Sequence, residues 1–121
     1  MHELSVCQAL IDEVQRLARQ HGARRVLSIE LAVGPLSGVE PQLLEHAWPL
    51  AAAGTLAAEA ELRIRRQPVR VRCRECSAEG EVPPNRLCCV ACDGWQVQVT
   101  GGEELLLRRV EFELAESGVA A

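Results

Sequence analysis

Two cysteine pairs constrain this chain more than any other feature: Cys73-x2-Cys76, then twelve residues, then Cys89-x2-Cys92. Each pair can offer two thiolates from one tight turn, and a stretch of this length can fold back as a short hairpin that brings the second turn against the first. Zinc is the default occupant of four sulfurs so spaced. Iron in a rubredoxin-like centre, or the two halves of a redox disulfide, would use the same donors, so spacing fixes the site better than it fixes the metal. The stretch Ser77 to Cys88 between the pairs is polar, carries Pro83 and Pro84, and has no histidine and little apolar content. Such a module has no core of its own, so metal must hold it together. Four thiolates also leave no open coordination position for water, which favours a structural site over a hydrolytic one. Cys88 stands beside Cys89 and offers a competing register, C-x3-C.

The chain has 121 residues, enough for one modest domain plus a metal-held appendage, and only two Trp, one Phe and no Tyr to build a core. No stretch approaches the apolar length of a membrane span, and His2 and Glu3 stand where a secretion signal would place basic residues and an apolar run. A cytoplasmic location is expected, and there Cys-x-x-Cys pairs serve metals more often than structural disulfides. All thirteen basic residues are arginine, and the net charge is −4. Four thiolates around a dication make that balance more negative still, so nucleic acid and membrane are poor partners.

Leu4, Cys7, Leu10, Ile11, Val14, Leu17 and Ala18 recur at helical spacing, which predicts an amphipathic helix from about residue 4 to Gln20, stopped at Gly22. Leu27, Ile29, Leu31 and Val33 then alternate with smaller or polar residues, as in a strand with one buried face. Pro41 opens a second helix with Leu44, Ala47, Trp48 and Ala51 on one stripe, and Pro49 should kink it or split it into two short turns. A second strand follows through Ala60, Leu62 and Ile64. Beyond the second cysteine pair, Trp95, Val97 and Val99 alternate, and a last strand places Leu106, Val110, Phe112 and Leu114 on one face. That last strand needs a neighbour from before the cysteine module, since a two-stranded sheet is marginal. The expected organisation is a discontinuous domain, residues 1–68 plus 102–115, interrupted by a ribbon at 69–101 and ending in a flexible tail, 116–121.

The start of the chain, Met1-His2-Glu3, is the second informative element. A bulky second residue blocks removal of the initiator Met, which leaves a free amine. The Met1 amine, the His2 amide and imidazole, and the Glu3 amide can form a near-planar set of four nitrogens, suited to Ni(II) or Cu(II) and wrong for zinc. Taken alone, a histidine near a chain start is most simply a solvated side chain.

Met1-His-Glu-Leu-Ser-Val-Cys7, Gly34-Pro-Leu-Ser-Gly-Val-Glu-Pro41, Gly54-Thr-Leu-Ala57 and the paired cysteines, in that order, closely resemble the HypA/HybF family of hydrogenase maturation proteins. The resemblance spans nearly the whole chain. It implies an α+β fold of two helices on a three-stranded mixed sheet with an inserted zinc ribbon. It also implies a nickel metallochaperone, not an enzyme, that inserts nickel into the large subunit of [NiFe]-hydrogenase with a maturation GTPase, and in some organisms serves urease maturation. Carried over by position, His2 is the nickel ligand, Met1 and Glu3 contribute nitrogen or carboxylate, and Glu40 is a carboxylate near the nickel. Cys73, Cys76, Cys89 and Cys92 then hold zinc. Glu40 also reads as a plain helix N-terminal carboxylate favoured by the dipole. Pro49 and Cys88 depart from the family pattern. Two rival classes are a zinc-ribbon interaction module and a thiol-disulfide protein, and neither accounts for Met1-His2-Glu3.

Overall fold

The computed structural model describes residues 3–115; Met1 and His2, and the tail expected at 116–121, lie outside them. Helix α1 (Glu3–Gln20) leads into strand β1 (Ala23–Val33), helix α2 (Pro41–Ala52) and strand β2 (Glu61–Arg66). Strands β3 (Val69–Cys73), β4 (Glu79–Val82) and β5 (Val97–Gly101) follow, and β6 (Leu105–Leu114) closes the order. One sheet runs β2-β1-β6, with β1 parallel to β2 and antiparallel to β6. The other runs β4-β3-β5, antiparallel throughout.

The mixed sheet is amphipathic. Ile29, Leu31 and Val33 of β1 are fully buried among Val6, Ile11, Val14 and Ala18 of α1 and Leu44, Trp48 and Ala52 of α2. Leu62 and Ile64 flank them on one side, and Leu105, Leu107, Val110 and Phe112 on the other. Cys7 belongs to this core, where its thiol points at the Leu44 carbonyl, 3.6 Å away. On the opposite face Arg63 bridges Glu61 and Glu111, Arg65 meets Glu30, and Ser28 donates to Glu111. The Gly54-Thr-Leu-Ala57 segment ties β1 to the helices: the Leu56 carbonyl accepts from Val26 N at 2.9 Å, and Ala57 is fully buried.

Several facings differ from those the alternation predicts, and β-bulges are the reason. In β6, Glu30 pairs with Arg109 while the next residue, Leu31, pairs with Leu107, so Arg108 is an extra residue that inverts the pattern. Leu105 and Leu107 therefore face the core, and Leu106 stands 49% exposed. A second irregularity at Leu27 buries Val26 and leaves Leu27 at the surface. In α1 the buried stripe runs through Val6 rather than Leu4, which is exposed. Helix α2 continues through Pro49 to Ala52 instead of dividing. Pro49 lies in its last turn, so the backbone bond that it removes is followed by only three more helical residues. After Pro68 the chain enters a separate strand, β3, in the other sheet.

The two sheets meet where β1 ends. Leu36 N donates to the Gly102 carbonyl at 2.7 Å, and Gly34 N donates to the Glu104 carbonyl at 2.8 Å. Gly34 packs so closely on this crossing that a Cβ there would overlap the Gly102 carbonyl. Gly102 has φ +108 and lies against the Val69 backbone, so glycine is required on both sides of the contact.

Candidate metal centre

The sequence folds each cysteine pair into the same small knuckle. Cys73 N donates to the Ala78 carbonyl and Ser77 N to the Cys73 carbonyl; sixteen residues on, Cys89 N donates to Gly94 O and Asp93 N to Cys89 O. Ser77 and Asp93 close the two turns with φ of 65 and 60, left-handed values that non-glycine residues adopt only where surrounding bonds hold them. Inside each loop the first sulfur accepts two amides. Glu75 N and Cys76 N point to Cys73 Sγ at 3.4 Å, and Ala91 N and Cys92 N to Cys89 Sγ at 3.3 Å.

Strand β3 delivers Cys73 at its end, and the antiparallel β3–β5 ladder brings the second knuckle over the first. The Sγ atoms of Cys73, Cys76, Cys89 and Cys92 then all lie within 4.8 Å of one another. Cys73 to Cys92 is 3.8 Å and Cys76 to Cys89 is 3.4 Å. A tetrahedron with metal–sulfur bonds of about 2.3 Å has edges of about 3.8 Å, so a closed four-thiolate metal site fits. Cys89, not Cys88, supplies the sulfur of this cluster. Cys73 and Cys89 are buried while Cys76 and Cys92 face solvent, and none of the six cysteines is in a disulfide.

Electrostatics show what the cluster requires. The amides of Cys92 and Ala91 lower the Cys89 thiol to about 6. Those of Cys76 and Glu75 lower Cys73. Cys92 gains a stabilising amide at Gly94, yet the neighbouring sulfurs of Cys89 and Cys73 push it up to about 12. Cys76 is likewise raised by Cys89 and Cys73 despite the Ala78 amide. Four adjacent thiolates cannot ionise together without a cation between them.

A pH dependence follows. Cation loading must displace protons from Cys76 and Cys92 throughout the neutral range, so affinity rises with pH. The Cys89 thiol is lowered on folding, so its favourable thiolate is present above its folded value and lost as pH falls through about 6, which adds a further competing proton there. Competition against a chromophoric chelator should show affinity falling from about pH 8 to about pH 6, and more steeply below. A flat profile would exclude thiolate coordination.

The second group of sequence candidates is only partly in view. Met1 and His2 lie outside the described residues. Glu3 is the first residue of α1, and its Oε2 accepts from Glu40 N at 3.4 Å. Glu40 is the N-cap of α2, its Oε1 accepting from Gln42 N at 3.3 Å. The Glu3 carboxylate thus meets the backbone of Glu40 where both helices begin. His21 stacks near Phe112, with ring centroids 5.7 Å apart, and His46 is exposed on α2. The amide donors at Glu75 and Ala91 escape sequence reading because they are backbone groups, although Cys-x-x-Cys spacing signals the turn that supplies them.

Residues 1–112 match the profile of a family described as hydrogenase/urease nickel incorporation, metallochaperone, hypA. The chain belongs to this family. It is 50% identical to the hydrogenase maturation factor HypA of Nitrosospira multiformis over 93% of this chain and 97% of that one. Hydrogenase maturation factor HybF of Salmonella typhimurium is 36% identical over 93% of this chain and 100% of its own. Among solved structures, that of the Ni metallochaperone HypA from Helicobacter pylori superposes with a TM-score of 0.68 at 25% identity, covering 95% of this chain and 100% of that one. HypA proteins are metallochaperones and maturation factors rather than enzymes, and the two helices, the mixed sheet and the four-cysteine cluster agree with that assignment. Among the described residues no helix is long and apolar enough to cross a membrane.

Proposed function

We propose that this chain carries Ni(II) as cargo on its first residues and keeps Zn(II) as a structural ion in Cys73, Cys76, Cys89 and Cys92. In this reading the Met1 amine, the His2 amide and imidazole, and the Glu3 amide bind nickel, with the Glu3 and Glu40 carboxylates beside them. Residues 1–68 with 102–115 form the nickel-binding domain and 69–101 the zinc ribbon. The cargo passes to the large subunit of a [NiFe]-hydrogenase in the cytoplasm, with a maturation GTPase as partner and urease maturation proteins as further recipients in some settings.

The observation that carries this reading is the family match over residues 1–112, which includes the Met1-His2-Glu3 start. The chemistry of the two donor sets supports it. Four soft sulfurs in a closed tetrahedron suit zinc and hold it, whereas planar nitrogen donation suits nickel. A chaperone must also release its cargo, and nitrogen chelation at a chain end opens when a single proton-sensitive donor, the His2 imidazole, is lost.

Replacing His2 with alanine, or adding one residue before Met1, is expected to abolish stoichiometric nickel binding in a calorimetric titration. Zinc content and far-ultraviolet circular dichroism should not change. Undiminished nickel affinity in either variant would refute the N-terminal assignment.

A further inference from the structure

We propose that the solvent face of the ribbon, where β3 runs into the first knuckle, is a docking surface for an acidic segment of a partner protein, with Arg72 and Arg74 receiving its carboxylates and Trp95 giving it an apolar contact. This goes beyond the metal chemistry and holds whichever cation the cluster carries. The chain is acidic as a whole, at −4, yet the twelve residues from Arg63 to Arg74 hold six of its thirteen arginines and no carboxylate. The fold divides those six. Arg63 meets Glu61 and Glu111, Arg65 meets Glu30, and Arg70 meets Glu81. Arg66, Arg72 and Arg74 are exposed, and among the described residues no carboxylate stands at ion-pair distance from them. Two of these three, Arg72 and Arg74, line a recess of about 250 Å³ together with Cys73, Ser77 and Gln98.

Strand register explains the exposure. Val69, Val71 and Cys73 of β3 are buried, so Arg70 and Arg72 alternate with them onto the solvent face. In the ladder Arg72 stands between Glu79 of β4 and Gln98 of β5, yet it makes no ion pair with Glu79 and lines the recess with Gln98 instead. An arginine unpaired beside an available glutamate keeps its planar fork of donors open, and that fork matches a carboxylate through two parallel hydrogen bonds. Arg74 N donates to the Gln96 carbonyl at 2.9 Å, which sets Trp95 next to the same rung. Trp95 is 76% exposed, whereas the chain's other tryptophan, Trp48, is 5% exposed. A tryptophan left in water beside unpaired arginines has the composition of a protein-binding hot spot. The surroundings favour protein over nucleic acid. Glu75 follows Arg74 directly, and Glu79 and Glu81 stand along β4 beside the patch. A phosphate backbone, charged at every step, would run onto these carboxylates, whereas a peptide with a few acids places charge only where the arginines are.

Fluorescence anisotropy tests this, with the full-length, zinc-loaded protein, a labelled Leu-Asp-Glu-Leu-Asp-Glu-Leu peptide and a thymidine oligonucleotide of equal charge as competitor. The native chain is expected to bind the peptide saturably below about 1 mM. The double variant R72E/R74E should weaken binding at least about tenfold, and R72K/R74K by about threefold, because lysine keeps the charge and loses the fork. Trp95→Ala should weaken it about fivefold. The variant R19E/R108E changes net charge by the same amount at exposed positions elsewhere and should bind as the native chain does. Circular dichroism and zinc content check that each variant is folded. Absence of saturation by about 1 mM overturns the proposal. So does R72E/R74E binding no more weakly than R19E/R108E, or Trp95→Ala binding as tightly as the native chain. An oligonucleotide that displaces the label at lower concentration than unlabelled peptide also overturns it, and would assign the surface to nucleic acid.

Discussion

Serine in place of Cys89 is expected to strip the metal from the ribbon and unfold the β4-β3-β5 sheet while the helices and the mixed sheet persist. Structural zinc in small modules contributes about 10 to 16 kcal/mol of apparent binding free energy near neutral pH. Against that, the antiparallel sheet and its knuckles bury only Val69 and Val71 besides the clustered Cys73 and Cys89, and a fully buried valine is worth about 1.5 to 3 kcal/mol. The metal term is the larger of the two, so the ribbon cannot stand without it. Cys89 and Cys73 are the most damaging of the four positions to lose: both are buried, and each sulfur accepts two amides that serine would leave poorly satisfied. The mixed sheet should survive because its core cluster draws only on α1, β1, α2, β2, β6 and the segments joining them. Elemental analysis and amide hydrogen exchange resolve the two parts separately. A fully metallated Cys89→Ser protein, or one whose helices melt together with the ribbon, would contradict this division.

Alanine at Gly34 should be the most disruptive single methyl addition to the chain. Its Cβ would occupy the space of the Gly102 carbonyl, so the two backbones must part. The Leu36–Gly102 and Gly34–Glu104 hydrogen bonds would go with them. Two buried backbone bonds and the attendant strain add up to about 3 kcal/mol, read as a lowered midpoint in urea unfolding. Metal content should be unaffected, because none of the four clustered cysteines touches the junction. A midpoint within about 0.5 kcal/mol of the native value would mean that the crossing yields freely.

The parts of this architecture governed by spacing were legible in the chain. Cys-x2-Cys recurring after twelve residues announced a four-sulfur cluster, and Pro41 after an N-capping Glu40 announced α2. The need for a third strand announced that the last strand would return to the first part of the chain. What failed was strict alternation. One extra residue at Arg108 or Leu27 exchanges inside for outside, and nothing in the residue types there marks it, since both sit in otherwise regular strand composition. Polarity also hid β4: Glu79-Gly-Glu-Val82 lacks the apolar pattern of a strand and is one because β3 lies alongside it. The Gly34–Gly102 crossing and the Glu3–Glu40 contact join remote positions, which a single sequence does not encode in any local pattern, whereas the donors around each knuckle are local backbone groups that the Cys-x2-Cys spacing signals only through the turn it implies.

The inserted ribbon has a consequence for the order in which the molecule assembles. Strand β6 must find β1 across a long excursion: Ser28 and Glu111, which touch, are 83 positions apart. Closing a flexible loop of that length carries an entropic penalty that slows pairing. Once metal has ordered the ribbon, Arg70 and Gly101 are held side by side, and the intervening residues no longer count as slack. With the proposed metal site loaded, capture of the ion would shorten the effective path for the final strand, and metal supply to a newly made chain would then set how quickly its other half matures as well as whether the ribbon forms.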